Sequence, residues 1–470
     1  MTDTPRRIAL LGSGADATAI ERVADALRPL AEVTILDHPR ELGPGPELAI
    51  ALAPDASIVE AARALALPVW TWVYGEPGES PREAHRAGRR FLVVRLVEMG
   101  PGPEDPIAVL REGAFKAHPL GPGYTLRRVW PAVATWPARV LEEGRPVPPL
   151  RTLPSLPPAD GARGLADLLA AARQLLHHLS VEATQEEWQI GILKRPPSSF
   201  LASPTLADAC WLPPRPGGGF RADPFGIATT AGRFVFCEDC PPGTDSAGLA
   251  VIQLDDTGRP VAEFPVETGV VGHLSWPFVF FYGNDLWMLP EHSAGGHTLL
   301  LRCRRFPDRF EPAELLLADF PAVDPVLFAT DGMFWLFATD RRDEDVTKLH
   351  LFSAPKPFGP WRPHPGNPVV CDLRAARPAG PLFWARGGLF RPAQDCASGY
   401  GAAITLCRID RLDGTGFGQT PIVRVVPPAS LPDGAHTLAP LGPDWSLVDA
   451  KRHRLQPGAA ARRLVRRLRG

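Results

Sequence analysis

The chain of 470 residues has no basic excess, no long apolar run and very little lysine. Only five of its 50 basic residues are lysine, a bias typical of a GC-rich bacterial genome. The formal net charge of −2 differs from the basic surplus of most nucleic-acid-binding proteins, so no nucleic-acid partner is expected. No stretch approaches the roughly 18 apolar residues of a membrane helix, and the first residues contain no secretory signal. We therefore predict a cytoplasmic protein.

Cysteine is scarce as well, and the seven cysteines are expected to be reduced thiols in that compartment. Cys237 and Cys240 form a single C-x-x-C pair, whereas a zinc site needs a second such pair or a pair of histidines nearby. The sequence therefore predicts no metal and no cofactor.

Proline, in contrast, is abundant: 55 residues, more than twice the usual share of about 5%. The prolines are spread through apolar segments, which favours many short strands joined by rigid turns. The length exceeds that of one ordinary core, so we expect a multidomain chain.

Residues 1–142 alternate short apolar strands with amphipathic helices, which predicts an α/β doubly wound parallel sheet. The turn Gly12-Ser13-Gly14 lacks the third glycine of a dinucleotide-binding motif and is interpreted as a tight turn. Residues 143–183 are predicted to form a proline-rich linker and a helix. A basic tail, 456–470, predicts either weak contact with an anionic membrane surface or a solvated terminus.

Residues 184–455 lose the helical period and carry five diverged hairpins about 35 to 60 residues apart. This spacing predicts an all-β five-bladed propeller. The starts of the hairpins are expected to point to the propeller axis. There they place Ala222-Asp223-Pro224, His273 with Trp276-Pro277, Val323-Asp324-Pro325, Arg377 with Ala379-Gly380-Pro381, and His436-Thr437.

The series A-D-P and D-P resembles the propellers of glycoside hydrolase family 43. The resemblance implies that Asp223 is a general base, that Asp324 tunes its pKa, and that a fourth-blade Glu-Gly-Pro supplies the general acid. Ala379 stands where that glutamate is expected, and hydrolysis needs an acid as well as a base. Glu291 or a histidine is the candidate replacement. The candidate substrate-binding residues are His273, Trp276, Arg374, Arg377, Arg391, Gln394, Asp395 and His436.

A wider resemblance rests on the strings W-Q-I-G-I, F-R-A-D-P-F, H-L-S-W-P-F, M-L-P-E, R-P-A-Q-D-C and H-T. They are similar to the N-terminal region of glucosamine inositolphosphorylceramide transferases. The resemblance implies a carbohydrate context and a glycan or glycolipid ligand, without implying the transferase activity itself.

The N-terminal segment also resembles formyltransferases, through V-L-R-E-G-A-F-K-A-H-P-L and Y-T-L-R-R-V-W. That chemistry needs an Asn and a His near the fourth strand, and residues 68–77 contain neither; only Asp105 matches the required Asp. The domain is therefore predicted to be inactive.

Two hypotheses follow for the whole chain. In the first, the protein acts on a surface glycan or glycolipid through Asp223, Asp324 and either Glu291 or a histidine. In the second, the propeller is a glycan-binding module or a scaffold that has lost the acid.

Overall fold

The computed structural model describes residues 7–12, 17–52, 60–61, 64–100, 107–143, 151–155, 164–182, 184–244 and 246–455. The chain divides into two compact units, Met1–His178 and Leu179–Gly470. The predicted basic tail, Asp105, Ser13, Gly14 and most of the predicted linker lie outside the described residues.

The first unit contains one seven-stranded sheet in the order β2-β1-β3-β4-β5-β6-β7. Its strands are β1 (Arg7–Leu11), β2 (Glu32–Leu36), β3 (Leu48–Ala51), β4 (Val69–Tyr74), β5 (Phe91–Met99), β6 (Ile107–Lys116) and β7 (Thr152–Leu153). The described helices that begin in this unit are α1 (Ala17–Leu27), α2 (Pro81–Arg86), α3 (Pro122–Val133), α4 (Trp136–Glu143) and α5 (Leu165–Glu182).

This sheet is mixed, which corrects the prediction of a parallel sheet through residue 142. Strands β1 to β4 pair in parallel, but β5, β6 and β7 pair antiparallel. A parallel pair needs a crossover of about a dozen residues or more. Only seven residues separate Met99 from Ile107, so β5 and β6 have room for a hairpin alone.

The second unit consists of five antiparallel blades. Blade 1 contains β10 (Phe220–Thr229), β11 (Gly232–Cys240), β12 (Gly248–Leu254) and β13 (Pro260–Val266). Blade 2 contains β14 (Ser275–Tyr282), β15 (Asp285–Glu291), β16 (Thr298–Arg305) and β17 (Arg309–Leu317). Blade 3 contains β18 (Ala322–Thr330), β19 (Met333–Asp340), β20 (Lys348–Ala354), β21 (Arg362–Pro363) and β22 (Val370–Cys371). Blade 4 contains β23 (Phe383–Ala385), β24 (Gly388–Asp395), β25 (Ala403–Leu412) and β26 (Phe417–Val425).

Blade 5 closes the ring with strands from both ends of the unit. It contains β27 (Leu438–Pro440), β28 (Ser446–Leu455), β8 (Thr184–Leu193) and β9 (Cys210–Trp211). Strand β28 pairs with β8 along its whole length, from Ser446 opposite Leu193 to Leu455 opposite Thr184. Closure of this kind leaves no long unpaired inner edge. The predicted five-bladed propeller is thereby confirmed.

The apolar core of the propeller includes buried residues from the second strand of every blade. The largest buried cluster joins side chains of all five blades. Among the described residues, no helix has both the length and the apolar character needed to cross a bilayer.

Gly380 lies where blade 4 meets blade 5, and its substitution tests how closely the two blades pack. Gly380 has φ 144°, and a Cβ there would lie 2.0 Å from the backbone oxygen of Leu438. We expect Gly380→Ala to lower the free energy of unfolding by about 2 kcal/mol or more, because backbone must shift. Gly248→Ala is the matched control, since no atom lies within 4 Å of its Cβ position. Equal thermal unfolding midpoints for the two variants would contradict this account.

Candidate functional site

The first strands of blades 1, 2 and 3 share one backbone distortion at their start. Asp223, Trp276 and Asp324 have φ values of 54°, 50° and 49°, a left-handed conformation that is uncommon for residues with a side chain. Each precedes a proline, and each lies where the register with the second strand shifts. In blade 4 the residue before the equivalent proline is Gly380, which adopts positive φ without strain. We call Asp223, Trp276 and Asp324 the bulge residues.

Carboxylates hold the backbone of the bulge residues in place. Asp449 of blade 5 accepts the N–H of Asp223 at 3.0 Å. Asp223 in turn accepts the N–H of Trp276 at 3.1 Å, and Glu291 of blade 2 accepts the N–H of Asp324 at 3.3 Å. Each of these bonds links one blade to the next, so the distorted backbone is fixed by its neighbour. Strained backbone of this kind is found preferentially at functional sites.

His436 links two of these carboxylates. Its Nδ1 lies 2.8 Å from Oδ1 of Asp449, and its Nε2 lies 3.2 Å from Oδ1 of Asp223. The same Asp449 oxygen accepts the backbone N–H groups of His436 and Thr437. Asp223 Oδ1 is buried and accepts no bond of hydrogen-bond geometry from the described residues. The row of contacting side chains Asp449, His436 and Asp223 therefore ends in an oxygen, Oδ1 of Asp223, whose acceptor capacity is unused.

Aromatic rings surround His436. The indole of Trp188 stacks on the imidazole with 3.9 Å between ring centroids, and Tyr400 packs edge-on at 5.4 Å. The buried ammonium of Lys451 lies over both rings and donates to Glu186 and to the backbone oxygen of Tyr400, each at 2.7 Å. Tyr400 is 37% exposed as a residue, more than Trp188, His436 or Lys451, although burial raises the pKa of its phenol well above the usual value.

Asp324 is paired with a cation and an amide. Arg377 donates from Nε to Oδ2 at 2.5 Å and from Nη2 to Oδ1 at 3.3 Å. Gln394 donates from Nε2 to Oδ2 of Asp324 and to the backbone oxygen of Pro378. Oε1 of Gln394 is buried and accepts no hydrogen bond from the described residues. Arg377 also lies 4.8 Å from the ring centroid of Tyr400, so this pair adjoins the aromatic group.

Five buried carboxyls share the site and shape one another's protonation; we call them the axial carboxyls. They are Asp223, Glu238, Glu291, Asp324 and Asp449.

Burial and the neighbouring negative charges raise the pKa of Asp223 well above its usual range and that of Glu238 to about 8. Burial also raises the pKa of Asp324 to about 7, against the opposing charge of Arg377. Burial disfavours the charged form of Asp449 too, but His436 and its N–H bonds hold the pKa of Asp449 below the usual value.

Coupled carboxyls lose their protons as a set rather than one by one. The first negative charge settles on Asp449, whose oxygens accept the N–H groups of Asp223, His436 and Thr437. Asp223 has the N–H of Trp276 and the ring of His436 beside it. Among the described residues, Glu238 has His273 as its neighbour of opposite polarity, with Nε2 3.9 Å away.

Several predicted site residues lie outside this cluster or present no reactive group to it. Arg374 pairs with Asp372, two residues before it, and the buried Arg391 donates to the backbone of Ala375 and Ala376 and to Gln419. Asp395 accepts from Arg424 and from the N–H of Ala397.

His273 and Trp276 differ from the other predicted residues. His273 is partly exposed and accepts the N–H of Ala247 at Nδ1. The side chain of Trp276 is fully buried and donates to Pro325, so its indole offers no face to a sugar. Ala379 is buried in an apolar cluster with Leu438 and Ile404, and it supplies no acid.

Sequence reasoning missed Glu238, Asp449, Lys451, Trp188 and Tyr400. Glu238 is the third residue from the end of β11 and Asp449 is the fourth residue of β28, and no following proline marks either of them. Glu291, by contrast, is the last residue of β15, where the string M-L-P-E marks it. A search for acidic residues along the whole of every second strand would have found both.

The atoms of Asp223, His436 and Asp449 lie within 4.8 Å of one another, the size of a small metal site. Both ring nitrogens of His436 face carboxylate oxygens, and Oδ1 of Asp449 already accepts three N–H groups. The arrangement therefore fits a hydrogen-bonded histidine better than an ion, and we assign no metal to it.

Residues 198–427 match the family model described as glucosamine inositolphosphorylceramide transferase 1, N-terminal. The chain is 33% identical over 230 residues to the rice protein of that name (Oryza sativa subsp. japonica), covering 47% of this chain and 30% of the relative. The Arabidopsis thaliana protein is 29% identical over 208 residues, 43% of this chain and 27% of the relative. The chain thus spans about a third of the curated relatives it matches. The resemblance to this family is confirmed over residues 198–427.

Solved structures resemble the chain more weakly. The family 117 glycoside hydrolase Zg3597 of Zobellia galactanivorans has a TM-score of 0.37 at 14% identity, over 55% of this chain and 80% of that one. The α-L-arabinofuranosidase PaAbf62A of Podospora anserina has a TM-score of 0.38 at 11% identity, over 52% and 94%. The five-bladed architecture rests on the strand pairing itself.

The raised pKa of Glu238 has a consequence for stability. An acid whose pKa is higher in the folded state destabilises the fold progressively as pH rises from its ordinary pKa near 4.5 to the folded value near 8. Glu238→Gln cannot ionise, so it avoids this destabilisation. The free energy of unfolding of the variant, relative to that of the native protein, should therefore rise by a few kcal/mol in total as pH increases across that window. Below pH 4.5 the two should differ little.

Urea unfolding at pH 4.5, 6, 7.5 and 9 measures this difference. Glu314→Gln, at an exposed glutamate of blade 2, is the matched control and should give a flat difference. A flat difference for Glu238→Gln as well would show that Glu238 ionises normally.

Proposed function

Since residues 198–427 match the N-terminal region of a glucosamine inositolphosphorylceramide transferase, we propose that the propeller binds a glycan, or the sugar part of a glycolipid, at the axial carboxyls. The name of the plant relatives joins an amino sugar with a phosphoceramide lipid. A surface glycan or glycolipid under assembly or modification is the ligand class that we infer.

The observation that carries the proposal is the unused hydrogen-bonding capacity of the site. Oδ1 of Asp223 and Oε1 of Gln394 are buried acceptors that receive no hydrogen bond from the described residues. A buried polar atom without a partner costs about 1–3 kcal/mol, so such atoms are seldom retained without a purpose. Sugar hydroxyls are hydrogen-bond donors, and small shifts of the surrounding side chains would allow them to reach these two oxygens.

The surroundings of Tyr400 support the same proposal. Sugar rings carry faces of C–H groups that pack on aromatic rings, while their hydroxyls bond to charged groups at the ring edge. Tyr400 is 37% exposed as a residue, and the charged groups of Arg377 and Lys451 lie over its ring, 4.8 Å and 5.0 Å from the centroid. A partly exposed aromatic residue beside two charged donors is a combination that suits a sugar.

The N-terminal unit lies outside the matched residues, so its likeness to formyltransferases remains a hypothesis. A second candidate function, scaffolding without a ligand, has no observation in its favour at the axial carboxyls. Unused acceptors and strained bulge residues are costs that a scaffold has no reason to retain.

Tyr400→Ala should weaken glycan binding at least tenfold, because it removes the partly exposed aromatic side chain beside Arg377 and Lys451, whereas Tyr400→Phe should retain most of the affinity. The probes are a printed glycan array, isothermal titration with its strongest oligosaccharide, and phosphatidylcholine liposomes that carry glycosylated inositolphosphorylceramide. Tyr282→Ala is the matched control, since Tyr282 of blade 2 is equally exposed and packs on Phe334 and Phe358 instead. Failure of the native protein to bind any of these probes would overturn the proposal.

A further inference from the structure

The axial carboxyls of the second strands do not all have the same task. Glu238 lies opposite Ala222 in the register of blade 1, and Glu291 lies opposite Ser275 in blade 2. Each therefore faces the residue just before a bulge residue. Glu291 uses its carboxylate to accept the N–H of the next bulge residue, Asp324.

Glu238 does not make the equivalent bond. The N–H of the bulge residue that follows it, Trp276, donates to Asp223 instead. The carboxyl of Glu238 accepts no hydrogen bond from any residue that the structure describes, although the residue is only 8% exposed. Unlike Asp223 Oδ1, its oxygens are not completely covered, since 11% of the side chain reaches solvent. Glu238 is thus mostly buried, makes no bond that supports the backbone, and keeps 11% of its side chain in contact with solvent.

We propose that Glu238 is the proton donor of the axial site and acts together with Asp223 as the base. This inference rests on the proposed function, because it requires a glycan at the axial carboxyls. It supplies the acid that Ala379 does not, from blade 1 rather than blade 4.

Burial and the charges around Glu238 keep the proton on it. Four carboxylates act on it from different strands, and a partly exposed histidine lies at 3.9 Å. They are Glu291 of β15, Asp449 of β28, Asp324 of β18, Glu186 of β8 and His273. Glu238 also acts on Asp223, since its charge raises the pKa of that group. Asp223 accepts the N–H of Trp276, whereas Glu238 accepts no hydrogen bond from the described residues, so hydrogen bonding favours the carboxylate at Asp223 and the carboxylic acid at Glu238.

This division matches the needs of glycosidic bond cleavage with water or a sugar hydroxyl as nucleophile. The bond from the anomeric carbon to the leaving oxygen breaks, its electron pair goes to that oxygen, and the oxygen takes the proton of Glu238. The nucleophile's oxygen bonds to the anomeric carbon and gives its proton to Asp223. Glu238 ends as a carboxylate and Asp223 as an acid, and exchange of one proton with solvent restores both.

The test compares leaving groups that need a proton with leaving groups that do not. Hydrolysis is measured on a panel of methyl glycosides and on the matching 2,4-dinitrophenyl glycosides. Glu238→Gln should lose at least 100-fold in kcat/KM on the methyl glycosides and less than tenfold on the dinitrophenyl glycosides. The alkaline fall of the native kcat/KM profile, expected near pH 8, should disappear in the variant. Glu314→Gln should behave as the native protein.

The outcomes separate this inference from the proposed function. Equal losses on both kinds of glycoside would show a structural role for Glu238 and overturn the inference. Absence of turnover on the whole panel, with glycan binding intact, would also overturn it while the binding proposal stands. Loss of glycan binding by the native protein overturns both.

Discussion

The structure of the axial site depends on one interaction, the hydrogen bond from a bulge N–H to a carboxylate across a blade boundary. Asp223 and Asp324 can hold left-handed φ before a proline only because Asp449 and Glu291 compensate the distortion. The distortion turns the start of each first strand so that its side chain meets those of other blades. Strand pairing alone would leave these side chains on the faces of separate sheets, so the bond that supports the backbone also assembles the cluster.

The same bond brings acids together at high cost. Five axial carboxyls in a buried space repel one another, and Arg377 offsets part of this repulsion through its ion pair with Asp324. Burial, together with the neighbouring carboxylates, raises the pKa of Asp324 to about 7 and that of Glu238 to about 8, so protons complete the compensation. A carboxyl that holds its proton near neutral pH is unusual in a surface loop but follows directly from this burial.

The sequence predicts the blades better than it predicts the site. Alternating apolar runs and tight turns mark each hairpin locally, and a proline after each bulge residue marks Asp223 and Asp324. Trp188, Glu186 and Lys451 carry no such mark, because β8 and β28 meet only when the ring closes, Glu186 and Lys451 being 265 positions apart in the sequence. Arg374 and Arg391 show the opposite error: an arginine in an apolar segment suggests an ion pair with the site, yet Arg374 pairs with Asp372 and Arg391 donates to the backbone of Ala375 and Ala376.

The position of Ala379 changes meaning once the blades are compared by structure. Gly380 removes the strain that Asp223, Trp276 and Asp324 carry, so blade 4 needs no carboxylate to support its bulge. The N–H of Leu438 donates to the backbone oxygen of Ala379, which joins blade 4 to blade 5 without any acid. An alanine here is therefore compatible with an intact ring. A propeller has equivalent positions in every blade, so a carboxyl that is lost in one blade can be replaced by a carboxyl in another. The replacement must not be occupied in supporting a bulge N–H, as Glu291 is. Glu238 meets this condition.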